Sequence, residues 1–456
     1  MKWRRRALSP AITVVLTAGT LVALQSPASA NVLSLSNFQL RPNAYGTDLQ
    51  DRADALPLVK ATVTTIMGDL NRTRDDGPPV TVGGACKPEA VASGSSPAIQ
   101  RSLCFTDDDN ETTQWYPQGV TTVADMQADQ EWGDGHQPVL VSWYDANDNA
   151  DGMVKGVRVS FMNRTTGSYR HVLLVYPKQS AGITSYDAVR VSQDSTADGY
   201  TTSLHAGGIV WYGNYLFVAD TARGFRVFDM RRVFDLGASE NGTTSGDHLI
   251  GYQQGTYYGY GYRYVMPQIG SWTHTAATGT KCSDNVGAED GSPNFSYTSL
   301  DRSGTDHLIA GEYCAGDEDT NGRVATWPMA GAFSGGELVM DPDYRWNADA
   351  AYTLPVSNVQ GATRFNNRWY LSQSDGATRA GWLHTAVPNV QPPAVTGPLQ
   401  TTGKKALPIG PEDLSHWPGG SETSPTLGAV WSVSEHPGSD ANGTGEGRRM
   451  VYAVTP

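Results

Sequence analysis

One pattern recurs five times between residues 114 and 456: a short strand, a tight turn, a second strand that ends near an acidic residue, and a third strand. The clearest copy is GGIVWYGNYLFVADTARGFRVFDM, residues 207–230. A second is QGATRFNNRWYLSQSDGATRAGWLHTAV, residues 360–387, and the others begin near residues 118, 295 and 412. Asn at the first turn of both quoted copies fits a tight hairpin. The chain is therefore built from repeated antiparallel meanders.

Meander repeats spaced about 70 residues apart are typical of a β-propeller, in which four-stranded blades surround a channel. We therefore predict an all-β fold, with a propeller over residues 114–456. Five blades are expected, or six or seven if the long connection over residues 249–280 contains further strands. A β-sandwich with the same strand content is the alternative.

The N-terminal part of the chain has a different character. Residues 1–30 have the basic start, the apolar run and the small-residue end of a secretory signal peptide. Residues 31–113 are predicted to be an extension, or a cleaved pro-segment, with one amphipathic helix around residues 47–72 and a disulfide loop. The apolar residues of that helix recur at spacings of three and four. We thus expect a secreted, extracellular, monomeric protein without a membrane span.

The four cysteines form two couples that are local in the sequence. Secretion favours disulfides, and of the three possible pairings we favour Cys86–Cys104 with Cys282–Cys314, because each closes a compact segment. The net charge of −13 argues against a nucleic-acid partner, since phosphate binding needs a basic surface.

An acidic residue stands at the end of the second strand in every copy. These residues are Asp145, Asp220, Glu312, Asp375 and Glu435. The first strands begin near Gln118, His205, Gln360 and the pair Glu412–Asp413. In a propeller both sets line the same mouth of the channel, and we call them the collar.

Two carboxyl groups about 5–10 Å apart are what glycoside hydrolysis requires. We therefore predict acid/base roles for Asp220, Glu312, Asp375 and Glu412, and proton transfer by His205. A purely structural role, in which each acid accepts hydrogen bonds from the following turn, is the alternative.

The tyrosine-rich segment GTYYGYGYRYVMPQIGSWTH, residues 255–274, is expected near the same mouth. Aromatic side chains with few rotatable bonds suit stacking on sugar rings. Together with two collar glutamines, the predicted substrate-binding residues are Gln118, Gln360, Tyr258, Tyr260, Tyr262, Arg263, Trp272 and His274. Alternatively, the alternating tyrosines form one face of a strand.

Two loops carry oxygen ligands at alternate positions, as calcium loops do. DEDTNG offers Asp317, Asp319 and Asn321, and DANDNADG offers Asp145, Asn147 and Asn149. Each departs from the full pattern, because the first lacks the acidic twelfth residue and the second lacks the glycine. A cation held in the channel by Gln118, Gln360 and Glu412 is a third option. Calcium is the only cofactor that the sequence suggests.

With these features the chain resembles secreted β-propeller proteins of actinobacterial type. The resemblance lies in the segments 204–230, 359–386 and 410–454 and covers residues 114–456. It is one of architecture, and propellers include hydrolases, lyases and binding proteins. No catalytic signature of one enzyme family is present.

The leading hypothesis is a secreted glycoside hydrolase or polysaccharide lyase that acts on an extracellular polysaccharide or oligosaccharide at the acidic mouth. A non-catalytic glycan- or cell-wall-binding propeller and a calcium-stabilised scaffold are the alternatives.

Overall fold

Antiparallel four-stranded meanders account for most of the described chain in this computed structural model. The structure describes residues 33–43, 46–133, 135–146, 153–191, 204–276, 282, 291–318, 321–390, 393–421, 424–437 and 448–456. The predicted signal peptide lies outside these residues. No helix among them is both long and apolar enough to cross a membrane.

The segment before the first repeat contains short elements. They are a 3₁₀ helix Leu35–Phe38, β1 Leu40–Pro42, α1 Asp48–Asp54, β2 Lys60–Ala61, α2 Val63–Met67, β3 Val80–Val82, a 3₁₀ helix Pro88–Ala90, β4 Ile99–Cys104 and α3 Asp107–Glu111.

The first blade follows as β5 Trp115–Thr122, α4 Val123–Met126, β6 Pro138–Asp145, β7 Val157–Asn163 and β8 Tyr169–Ser180, with β9 Ile183–Ala188 added at its edge. The second consists of β10 Ile209–Tyr212, β11 Tyr215–Asp220, β12 Gly224–Asp229, a 3₁₀ helix Met230–Arg232, β13 Val233–Asp235, β14 Ile250–Gln253, β15 Thr256–Gly259 and β16 Tyr264–His274.

The third blade contains β17 Tyr297–Asp301, β18 His307–Gly311, β19 Arg323–Pro328, a 3₁₀ helix Met329–Ala332, β20 Phe333–Ser334, β21 Glu337–Leu338 and β22 Ala350–Thr353. The fourth consists of β23 Val359–Phe365, β24 Arg368–Gln373, β25 Ala380–Pro388 and β26 Thr396–Ile409. The last repeat supplies β27 Ser415–Ser421, β28 Ser424–Val433 and β29 Met450–Val454.

The innermost strands are β5, β10, β17, β23 and β27, and each packs against the next, with β27 returning to β5. This cyclic arrangement confirms the predicted class, an all-β propeller with a partly helical N-terminal segment. Outer strands of neighbouring blades also pair in parallel, β8 with β16 and β22 with β26. These pairs cover strand edges that would otherwise expose unpaired backbone groups.

The last repeat is completed by the N-terminal segment. Strand β29 pairs with β4, and β4 pairs with β3, so residues predicted to form a separate extension supply the outer strands of this blade. Both predicted disulfides are present, and Cys86–Cys104 joins β4 to the preceding loop. The ring is thus closed by strands from two distant parts of the sequence, which pair in one sheet. Because the paired residues are more than 300 positions apart, local sequence patterns do not indicate this pairing.

The single helix predicted over residues 47–72 is wrong. Helix α1 ends at Asp54 and α2 begins at Val63, and between them Pro57 and strand β2 interrupt the helical path. Proline lacks the N–H that a helix interior needs and clashes with the preceding turn. The apolar spacing reflects burial of Leu56, Val63 and Ile66 in an irregular segment, not one helical face.

Glycine allows the inner strands to approach each other to backbone contact. A Cβ atom on Gly208, just before β10, would lie 2.1 Å from the amide nitrogen of Thr298 in β17. A Cβ on Gly361 in β23 would lie 2.8 Å from the carbonyl oxygen of Glu412. Glycine near the start of the inner strand is therefore required by the narrow channel.

Side chains inside the channel link neighbouring inner strands. Asp413, which precedes β27, accepts backbone hydrogen bonds through Oδ2 from Val120 of β5 (3.3 Å) and Ile209 of β10 (3.2 Å). Asp125 accepts hydrogen bonds from the hydroxyls of Thr121 (2.8 Å) and Ser415 (2.7 Å). Both carboxyl groups are buried, and burial raises the pKa of Asp125 to about 6.

The raised pKa of Asp125 predicts that the free energy of unfolding depends on pH. In the unfolded chain this carboxyl ionises with its ordinary pKa of 3.8, whereas in the folded chain it stays protonated up to about pH 6. Stability is therefore lost as pH rises through that interval. The Asp125→Asn variant has no such carboxyl group. Relative to wild type, its free energy of unfolding should therefore increase by about 3 kcal/mol as the pH rises through this interval.

Urea unfolding at several pH values between 3 and 8 measures this difference. Asp375→Asn is the matched control, because the side chain of Asp375 is 38% exposed and should show no such growth. A difference for Asp125→Asn that stays constant with pH would contradict the prediction.

Candidate functional site

Three of the collar acids are neutralised by arginines instead of facing the channel together. Asp220 pairs with Arg226 (2.7 Å), Glu312 with Arg323 (2.9 Å) and Asp375 with Arg379 (3.1 Å). The first two pairs are buried, and each joins the end of a second strand to the adjacent third strand. These contacts favour structural roles for Asp220 and Glu312.

Asp145 also stabilises its own blade. Its Oδ2 accepts a hydrogen bond from the backbone N–H of Lys155 at 2.6 Å, across the connection between β6 and β7. Its carboxyl group therefore stabilises the local backbone through this hydrogen bond.

The remaining collar residues converge. The Nε2 of Gln118 donates to Oε2 of Glu435 at 2.5 Å, and the Nε2 of Gln360 donates to Oε1 of Glu412 at 3.1 Å. Glu412 and Glu435 lie close enough for their charges to interact. Three blades thus place two carboxyl groups, each held by a glutamine amide, at one mouth of the channel. We call these four residues the carboxyl pair site.

Aromatic side chains surround the carboxyl pair site. Tyr144 lies within electrostatic range of both glutamates, and its ring packs on His205 (4.7 Å between centroids) and on Tyr116 (5.8 Å). Tyr313 is also within range of both glutamates. His205 is exposed and lies beside the site, because its ring packs on Tyr144.

The two glutamates have different environments. Glu412 is buried, and burial followed by repulsion from Glu435 and Asp413 raises its pKa well above the ordinary value. Glu435 keeps part of its side chain exposed (19%) and lies 3.5 Å from Nδ1 of His436. Like-charged carboxyl groups that are close together do not ionise equally, and the more buried one retains its proton. The site therefore combines a buried carboxyl group of raised pKa with a more solvated one.

Sequence reasoning missed Tyr144 and Tyr313, although each is next to a collar acid. Successive side chains of a strand point to opposite faces, so a shift of one residue exchanges the two faces. Asp145 and Glu312 turn into their blades, while the neighbouring tyrosines approach the glutamates. Which of two adjacent residues approaches the glutamates could be decided only once the strand register of each blade was known.

The tyrosine-rich segment does not form one strand face. Tyr258 lies in β15, Tyr260 adopts a positive φ of 52°, and β16 begins only at Tyr264. Trp272 is buried with its ring against Trp346 (5.1 Å), so the predicted stacking of Trp272 on a ligand is wrong.

His274 is also removed from solvent, and burial lowers its pKa to about 3. Its ring packs on Phe295 at 4.8 Å between centroids. His274 is therefore neutral at physiological pH.

Three predicted substrate-binding residues do line a cavity, of about 590 Å³. We call it the tyrosine pocket, and its side chains include Tyr260, Tyr262, Arg263, Arg72 and Arg170. Arg263 is held by Asp235, with two hydrogen bonds of 2.9 Å. Within the described residues, no hydrogen bond or ion pair joins this pocket to Glu412 or Glu435.

Neither predicted calcium loop is fully described. Asp319, Asn147 and Asn149 lie outside the described residues. Asp317 is exposed, and Asn321 donates to the carbonyl oxygen of Leu354 at 3.3 Å. Among described side chains, no group of three or more His, Cys, Asp or Glu residues is arranged to hold a metal ion. Calcium binding stays a prediction.

No family model matches this sequence, and no curated protein does. Solved structures with a similar fold include the β-xylosidase RS223, with 11% identity, coverage of 78% of this chain and 94% of that chain, and a TM-score of 0.31. A GH43_1 enzyme from Xanthomonas citri has 10% identity, coverage of 75% and 88%, and a TM-score of 0.28. A luciferin-regenerating enzyme has 8% identity, coverage of 75% of this chain and 91% of that chain, and a TM-score of 0.28. Similarity this low carries no argument about activity.

The buried Asp220–Arg226 pair predicts a stability defect. Asp220→Ala leaves the Arg226 guanidinium buried without its carboxylate, which typically costs about 3–5 kcal/mol. Chemical denaturation should show this loss, and Asp220→Ala combined with Arg226→Met should recover part of it. Asp375→Ala is the control, because its exposed ion pair should contribute at most about 1 kcal/mol. Equal stability of Asp220→Ala and wild type would contradict a structural role.

Proposed function

We propose that this protein is a secreted carbohydrate-active hydrolase that cleaves an extracellular glycan at the carboxyl pair site. The observation that carries the proposal is the convergence of Glu412 and Glu435 in unequal environments. Glycoside hydrolysis uses one carboxylic acid to protonate the leaving oxygen and one carboxylate to activate water or attack the sugar.

Glu412 is the general acid in this proposal, because burial and the neighbouring carboxyl groups raise its pKa well above the ordinary value and so favour the protonated form. Glu435 is its partner in the role of base or nucleophile, and its carboxyl group accepts a hydrogen bond from the amide of Gln118. The exposed ring of His205 packs on the half-buried ring of Tyr144 beside the pair, and such a ring surface suits contact with a sugar.

Hydrolysis explains the site better than elimination. A lyase of this kind needs a tyrosine or histidine that accepts a proton. Burial and the nearby glutamates raise the pKa values of Tyr144 and Tyr313, which disfavours their deprotonation.

The decisive experiment measures reducing ends released from a panel of polysaccharides by wild type, Glu412→Gln and Glu435→Gln. Both substitutions preserve shape, and each should lower turnover by about 10²–10⁴-fold, since each removes a proton-transfer or nucleophilic group. Activity of wild type should fall as pH rises through the raised pKa of Glu412. Absorbance of unsaturated products is recorded in parallel, and chelator-treated samples test for a required metal.

Stability measurements separate a catalytic effect from misfolding. Glu412 ionises in the unfolded chain above its ordinary pKa of 4.5 but is held protonated when folded, so it destabilises the protein increasingly above that pH. Glu412→Gln should therefore melt higher than wild type at pH 8, with a smaller difference at pH 4. The exposed Glu89→Gln is the matched control. Full turnover in both active-site variants would contradict the proposal.

A second candidate function, glycan binding without catalysis, is favoured by the tyrosine pocket. Its volume lies in the range of about 300–1,000 Å³ typical of small-molecule sites. In that case polysaccharide pull-down would be lost in Tyr262→Ala but retained in Glu412→Gln, and no reducing ends would appear.

A further inference from the structure

A separate cavity of about 420 Å³ lies between the last and first blades. We call it the hairpin pocket. The last blade contributes Trp417 and Gly420 of β27, Gly428 of β28 and Arg101 of β4, and the first blade contributes Arg164 of the turn between β7 and β8. Glu412 precedes β27, whereas the pocket lies toward the far end of that strand. The hairpin pocket is therefore distinct from the carboxyl pair site.

Two arginines meet in the hairpin pocket. The Nη1 of Arg101 donates to the carbonyl oxygen of Arg164 at 3.0 Å. The Arg164 guanidinium lies 4.6 Å from the ring centroid of Trp417, and its Nη1 donates to Oε1 of Gln137 at 2.8 Å. Its Nε is buried and has no hydrogen-bond partner among the described residues. A guanidinium donor is thus left unsatisfied beside a second positive charge.

No described carboxylate compensates this charge. Neither Arg101 nor Arg164 forms an ion pair with any residue that the structure describes. Several other partly or fully buried arginines do, including Arg158 with Asp109, Arg226 with Asp220, Arg323 with Glu312 and Arg364 with Asp301, whereas the buried Arg449 forms none within the described residues. Burial and then repulsion from Arg101 lower the pKa of Arg164, and no opposing attraction contributes. A negative partner is missing in a chain whose net charge is −13.

We propose that the hairpin pocket binds an oxyanion, namely a carboxylate or sulfate group. The planar guanidinium forms paired hydrogen bonds with such groups, and an oxyanion would satisfy the buried Nε and reduce the repulsion between the two arginines. Gly420 and Gly428, with φ of 78° and 63°, contribute only backbone to the lining of the cavity. The cavity volume accommodates a small organic acid as well as an inorganic ion.

This inference goes beyond the hydrolase proposal, because it concerns another part of the molecule and requires no catalysis. The oxyanion has two sources, an acidic sugar residue or a free inorganic anion, and the probes distinguish them. Sodium glucuronate represents the first and sodium sulfate the second, with glucose as the neutral counterpart of glucuronate. All titrations are performed at constant ionic strength set with sodium chloride, since unspecific screening also changes stability.

Binding is measured by calorimetry and by tryptophan fluorescence, which Trp417 and Trp431 should report. We expect saturable binding of at least one anion, none of glucose, and an affinity reduced about tenfold or more in Arg164→Gln and Arg101→Gln. The exposed Arg368→Gln is the matched control and should bind as wild type does. Tighter binding of glucuronate than of sulfate assigns the site to an acidic glycan, and the reverse assigns it to an inorganic anion.

Circular dichroism confirms that each variant is folded. Arg164→Gln removes a half-buried charge that no described carboxylate compensates, so without anions it should melt no lower than wild type. Glu422, which lies outside the described residues, is the acidic residue closest in sequence to Gly420. If Glu422→Gln increased anion affinity, an internal carboxylate would already occupy the arginines, which would contradict the proposal. Absence of saturable binding, or an affinity in both arginine variants equal to that of wild type, would also overturn it.

Discussion

The ring depends on one buried carboxyl group. Oδ2 of Asp413 accepts backbone hydrogen bonds from Val120 and Ile209, so a residue entering β27 holds the inner strands β5 and β10. The close approach at Gly208 and Gly361 leaves no room for larger side chains. Between these inner strands, hydrogen bonds to Asp413 take the place of the apolar packing that larger side chains would supply. The same hydrogen bonds fix the alignment of the neighbouring blades.

The same constraint creates the carboxyl pair site. Glu412 immediately precedes Asp413, so anchoring one residue places the other at the mouth, where Gln360 and Glu435 meet it. Burying like-charged groups together is unfavourable unless one remains protonated. The destabilisation that raises the pKa of Glu412 is thus also what suits it to donate a proton. Stability is reduced where chemistry is proposed, a common arrangement at functional sites.

Much of the architecture could be predicted from sequence, because repeated meanders and glycine near the inner strands follow local rules. The two disulfides also followed from spacing and secretion. The closure of the last blade by β4 could not be predicted, since β4 and β29 are far apart in sequence. Pro57 should have warned against a helix over residues 47–72. In the site, Gln118, Gln360 and Glu412 were grouped from the strand pattern, and only the structure shows which glutamate each glutamine contacts. The arginines that pair with Asp220 and Glu312 became evident only from the pairing of second and third strands.

The central claim is that Glu412 stays protonated in the folded protein at neutral pH. Carbon-13 NMR titration of protein labelled at the glutamate side-chain carboxyl carbon tests it directly, with Glu412→Gln assigning the resonance. The account predicts a carboxyl signal that keeps its protonated shift at pH 7, while exposed glutamates have already ionised. A Glu412 resonance that titrates near pH 4.5 with the others would contradict it.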